Sequence, residues 1–187
     1  VVGIRHLGRL ASCEDSRRVA VEGPGTLGLD QGGAVRHDDI QEILNLKYRY
    51  FRHLDLKEFD DLGALLTEDC EAGYDNGNLA FSGRQAIVEF LSASLSDAGI
   101  ISEHHGHHPE ITFLSDDEAT GVWYLEDRVL IPAADLEIGG TAFYADTYRR
   151  IDGTWLISAT GYQRVFEERR SFSTRELQSF ANRFAQD

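Results

Sequence analysis

The sequence predicts an α+β fold in which helices come first and pack against a curved antiparallel sheet formed by the later residues. Helical spacing of apolar residues is concentrated in the first half of the patterned region, the second half alternates β-branched and aromatic residues, and compact turn signals separate its strands. From His37 the apolar positions Ile40, Ile43, Leu44, Phe51 and Leu54 recur at helical spacing behind Asp38 and Asp39, either of which suits an N-cap, and this helix is expected to end near Asp55. A second, shorter helix is expected over about 58–66. Short strands at 70–74 and 79–81 flank the turn Asp75-Asn76-Gly77. Ser82 and Gln85 have the spacing of a capping box for a helix over 84–95. Strands are then expected at 110–114, 119–131, 141–151 and 154–166, with Gly139-Gly140 as a break and Asp152-Gly153 as a hairpin turn.

The 187 residues suit one domain with a sizeable core, divided here into a flexible arm over 1–36, a main domain over 37–170 and a C-terminal helix over 171–187. Seven glycines and mixed charges without a sustained period underlie the reading of the arm. Leu177, Phe180, Ala181 and Phe184 on one side underlie that of the last helix. A net charge of −14 argues against nucleic acid or an anionic membrane as partner, because both would be repelled. A small, apolar or aromatic substrate fits better. Two distant cysteines, Cys13 and Cys70, suggest no disulfide framework, and no apolar run approaches the ~18–20 residues of a membrane span, so a cytoplasmic location is expected.

Chemistry is sought at His104-His105-Gly106-His107-His108, which holds four of the seven histidines. Neutral imidazole is suited to move protons near pH 7. Alternation places Asp127 on a largely apolar face with Trp123, Leu125 and Val129, where a carboxylate needs a partner. Paired with His104, Asp127 would fix the imidazole tautomer; a cross-strand pair with Arg149 or Arg164 is the structural alternative. Tyr50 suits an oxyanion donor, and Asp55 follows it on the same helix. Tyr74, Trp123 and Tyr144 are candidates to line an apolar substrate pocket. No cysteine or acidic residue accompanies the histidines at a metal-ligand spacing, so no metal is expected.

Several local patterns together resemble the SnoaL-like branch of the nuclear-transport-factor-2-like superfamily: "YFRHLD" from Tyr50, "FDDLGALLTED" from Phe59, "FSGRQAIVEFL" from Phe81, His104 ahead of Pro109, "ATGVWYLEDRV" from Ala119 and "YADTYRRIDGTWLI" from Tyr144. The resemblance covers about 38–169. It implies a cone-shaped α+β barrel with one deep pocket. The local patterns are most similar to the family's dehydratases of the scytalone and bile-acid 7α type, which implies catalytic roles for Tyr50, Asp55, His104 and Asp127 and no cofactor. The implied activity is dehydration of a hydroxylated cyclic ketone or enone, steroid-like or polyketide-like. An isomerase or cyclase, a non-catalytic binding protein and an oxygenase small subunit are the alternatives the same family implies. Homodimer formation through the open sheet face is also implied.

Overall fold

The computed structural model describes residues 36–185. Its first helix, α1, spans His37–Leu56 and buries Ile43, Leu46, Lys47, Tyr50, Phe51 and Leu54, the stripe that the spacing anticipates with Lys47 added to it. Arg36 stands at the N-cap, and no side chain caps this helix. Asp39 lies in its first turn and pairs with Arg150 at 2.5 Å. Lys57 ends α1 in the left-handed region, leaving Asp55 in the last turn. The short helix α2 covers Phe59–Gly63.

Strand β1, Leu66–Tyr74, begins earlier than expected, and a turn through Asp75–Gly77 leads to β2, Leu79–Ser82. Helix α3 spans Arg84–Leu95 behind the N-cap Gly83, whose φ of 89° is one that L side chains rarely adopt. The expected capping box is not formed. Ser82 instead donates to Glu71 Oε1 at 2.8 Å, and Gln85 donates to Glu89.

The remaining strands are β3 (Ile101–Phe113), β4 (Glu118–Ile131), β5 (Leu136–Ile151) and β6 (Thr154–Arg170). They join β1 and β2 in one curved sheet of order β2-β1-β6-β5-β4-β3. Every pairing is antiparallel except β1 with β6. The histidines lie inside β3 rather than before it, because pairing with β4 runs from Ile101 to Phe113, the strand's full length, and overrides their weak β-propensity. Pro109 is accommodated at a register shift between His107 and Glu110 on this edge strand.

Gly139 and Gly140 do not break β5. A Cβ on Gly140 would lie 2.3 Å from Phe166 O, so glycine there permits the close approach of β6. The hairpin turn is as anticipated: Ile151 pairs with Thr154 across Asp152 and Gly153, both at positive φ. Helix α1 lies against the inner face of the sheet, where Trp123, Leu125, Tyr148, Trp155 and Ile157 belong to one buried cluster with Ile43 and Leu46.

The expected C-terminal helix is not formed among the described residues. Residues 171–185 run as turns, bends and irregular chain, with Ser171 and Ser173 hydrogen-bonded to Asp135 and Asn182 reaching Ala98 O at 2.6 Å. Leu177 and Phe180 remain 44% and 46% exposed. Without a surface to bury an apolar stripe, a helix of this length has little to stabilise it. The expected arm over 1–36 lies outside the described residues except Arg36, which pairs with Asp116 and donates to Ser115 O. Among the described residues no helix is long and apolar enough to cross a membrane.

Candidate active site

The last turn of α1 meets the start of β3, and this junction joins two of the sequence-nominated residues. Asp55 Oδ1 lies 2.7 Å from His104 Nδ1 and accepts the Ser102 hydroxyl at 2.8 Å, while Oδ2 accepts the His104 backbone N–H at 2.9 Å. Held by three donors, the carboxylate fixes the imidazole in orientation. The side chains of His104 and Asp55 are 10% and 22% exposed, so the pair lies at the edge of the interior. Phe51 stacks on the imidazole with an interplanar angle of 4°. Gly106 makes this possible, since a Cβ there would come within 2.4 Å of Phe51 Cε2.

Asp127 does not hold the imidazole. It is the register partner of His104 and shares its face, but both of its carboxylate oxygens engage the Arg164 guanidinium, Oδ2 at 2.7 Å from Nη2. The role expected of Asp127 thus falls to Asp55, and the cross-strand alternative with Arg164 is the arrangement found. Arg164 reaches from β6 across β5, where Ala142 and Gly140 leave the inner face clear. Burial disfavours its charge, but the Asp127 hydrogen bonds more than offset this and raise its pKa.

Tyr50 is fully buried, and its hydroxyl lies 3.1 Å from that of Tyr74. Burial pushes the pKa of both phenols, and of Tyr144, well above the ordinary tyrosine value, keeping them protonated. Tyr50 and His104 are not in direct contact; Phe51 lies between them, edge-on to Tyr50 and stacked on His104. Tyr144 packs edge-on against Phe51 and Tyr162, and Tyr162 lies beside Tyr74. Trp123 makes its hydrogen bond elsewhere: its Nε1 donates to Tyr148 Oη at 2.8 Å.

That bond belongs to a polar centre that the sequence reading did not assign. Lys47 Nζ is 2.8 Å from Asp146 Oδ2, and both side chains are completely buried. Asp146 also accepts Tyr148 Oη at 2.8 Å and Thr160 Oγ1 at 2.7 Å. Nζ sits 3.6 Å from the Tyr144 ring centroid, a cation–π arrangement. Burial lowers the Lys47 pKa despite the Asp146 charge. A readable signal existed: Lys47 stands three and four residues before Tyr50 and Phe51, on the apolar stripe, and Asp146 alternates with Tyr144 and Tyr148.

The other histidines of the cluster take different directions. His105 and His107 are exposed on the outer face, opposite Glu126 and Tyr124 in the β3–β4 register. They do not join His104.

A description of the SnoaL-like domain matches residues 35–160. Among solved structures, the fold is similar to a scytalone dehydratase-like protein of Novosphingobium aromaticivorans, with 24% identity, a TM-score of 0.65 and coverage of 70% of this chain and 87% of that one. It is also similar to the hexachlorocyclohexane dehydrochlorinase LinA-type3 of Novosphingobium barchaimii, with 17% identity, a TM-score of 0.64 and coverage of 71% and 90%. ActVI-ORFA of Streptomyces coelicolor gives 22%, 0.60, and 68% and 98%. At these identities the structural likeness establishes the fold, and the matched domain establishes the family: this chain belongs to the SnoaL-like family.

Proposed function

We propose that this protein is a cofactor-independent lyase that dehydrates a hydroxylated cyclic ketone or enone, with His104 as the base. The observation that carries the reading is the Asp55–His104 hydrogen bond. An Asp55 carboxylate accepting from Nδ1–H leaves the Nε2 lone pair as the proton acceptor, and among the described residues Nε2 has no hydrogen-bond partner. Asp55 then stabilises the imidazolium formed by proton removal. Two named structural neighbours, a scytalone dehydratase-like protein and a dehydrochlorinase, suggest elimination as the reaction class.

In the proposed sequence Nε2 removes a proton from the carbon beside the carbonyl, and the C–H electron pair becomes an enolate. The buried phenols supply the complementary donor. A hydrogen-bonded pair of hydroxyls uses one proton internally and leaves the second for another oxygen, so Tyr50 and Tyr74 together can donate to the enolate. The enolate electrons then expel hydroxide from the neighbouring carbon, and the protonated His104 delivers the proton that converts it to water. Asp127, engaged by Arg164, serves as a positioned polar group beside the base. Phe51, Tyr144 and Tyr162 supply an aromatic surface for a ring substrate.

The test is a screen of hydroxy-ketone steroids and aromatic polyketides for new conjugated absorbance, followed by His104→Ala on any substrate found. Turnover should fall by roughly 10²- to 10⁴-fold, the range for loss of a general base, while ligand binding persists. Near-normal turnover in His104→Ala overturns the assignment. Binding of these ketones by the unaltered protein without turnover overturns it in favour of a non-catalytic binding protein.

A further inference from the structure

The histidine cluster divides between the two faces of β3, and the outward half meets an acid. His105 and His107 are two residues apart on one strand and therefore project from the same face. Glu126 stands directly across from His105 on β4, which adds a carboxylate that linear spacing does not reveal. The donor atoms of these three side chains all lie within 4.8 Å of one another. A tetrahedral ion with bonds of roughly 2.0–2.1 Å needs ligand atoms about 3.3–3.5 Å apart, so the three must close slightly. All three are exposed, and side-chain rotation suffices.

We propose that His105, His107 and Glu126 form a zinc site on the outer face of the sheet, independent of the reaction proposed for His104. Two imidazole nitrogens and one carboxylate oxygen suit a borderline cation such as zinc, whereas calcium and magnesium favour oxygen donors throughout. Among the described residues none of the three side chains is engaged in a hydrogen bond or ion pair, so their donor atoms are free for a metal. The other candidate group, His53 with Glu58 and Asp61, differs here: His53 Nδ1 is already 2.7 Å from Glu58 Oε2.

The surroundings favour a cation. Arg128, two residues from Glu126, is 2.9 Å from Glu103 and 4.0 Å from Glu137, so acids on both sides offset its charge. The chain's net charge of −14 adds a general attraction. His105 and Glu126 also line a groove of about 250 Å³ that continues past Gly139, leaving room for water or a small anion to complete the coordination.

The experiment is titration of the chelator-treated full chain with zinc by calorimetry, and with cobalt(II) by visible absorption. One ion per chain is expected. His105→Ala, His107→Ala and Glu126→Gln should each weaken binding by at least the roughly 10- to 100-fold that loss of an outer-shell partner costs a metal site. His104→Ala and His53→Ala should leave binding close to that of the unaltered protein. Because the ligands are exposed, circular dichroism should show the three weakened variants folded. Absence of binding, binding that survives all three substitutions, or dependence on His53 or His104 overturns the site.

Discussion

Lys47–Asp146 and Asp55–His104 each set an ionisable pair between α1 and the sheet, yet they differ in their access to solvent. Asp146 accepts hydrogen bonds from Tyr148 and Thr160 and forms an ion pair with Lys47, whose Nζ makes no hydrogen bond among the described residues, and this pair is sealed from solvent. Asp55 receives three donors, but its histidine partner keeps one ring nitrogen without a partner among the described residues and stands at the solvent edge. A pair whose two side chains are both sealed from solvent offers a ligand no approach to its protons. The pair with one free basic atom can exchange one. On this contrast the Lys47 centre is closed within the interior, and the His104 junction is the one to which the proposed chemistry is assigned.

The largest effect that would test the contrast is on stability at the sealed centre. Lys47→Met removes the cation and leaves the Asp146 carboxylate buried without its counter-charge, which should lower the unfolding free energy in urea by about 3–5 kcal/mol. Lys47→Met combined with Asp146→Asn should be less destabilised than Lys47→Met alone, since an amide oxygen still accepts from Tyr148 and Thr160. A loss below about 1 kcal/mol in the single variant would mean that Asp146 finds other compensation and that the centre is not sealed. Arg164→Met should cost less, about 1–3 kcal/mol, because Asp127 keeps 6% side-chain exposure and can recruit water when its partner is removed. An equal or larger loss would place Asp127 with the sealed group rather than with the open junction.

Much of the fold was legible because its signals are local. The apolar stripe from Ile43 to Leu54 defines α1, and Asp152-Gly153 defines the β5–β6 turn. Asp55 and His104 were legible as site candidates, but their pairing was not. Alternation gives the face on which Asp127 lies; it does not reveal that small residues on β5 let Arg164 reach that carboxylate first. The start of β3 was obscured for a related reason, since Ser102 to His108 contains few strand-favouring residues and gains its conformation from β4. Lys47 escaped notice because lysine on an apolar stripe is ordinarily read as a solvated interruption. Only the fold brings Asp146 to it.

The smallest perturbation is chemical labelling of Cys70, which probes closure of the Lys47 region without changing a residue. Cys70 is fully buried, and burial, reinforced by the Asp146 charge, pushes its thiol up to about 12 from an ordinary 9.0. At pH 9.0 an unperturbed thiol is half ionised, while Cys70 would hold roughly a thousandth of its population as thiolate. Alkylation by iodoacetamide should therefore be negligible in the folded protein and rapid in denaturant, with peptide mass spectrometry separating Cys70 from Cys13. If the interior opens only through global unfolding, the residual rate should follow the unfolding equilibrium and increase in Lys47→Met in proportion to its lost stability. Rapid labelling of the native protein, unchanged by that substitution, would instead reveal a local opening beside Asp146 and erase the distinction between a sealed centre and an accessible one.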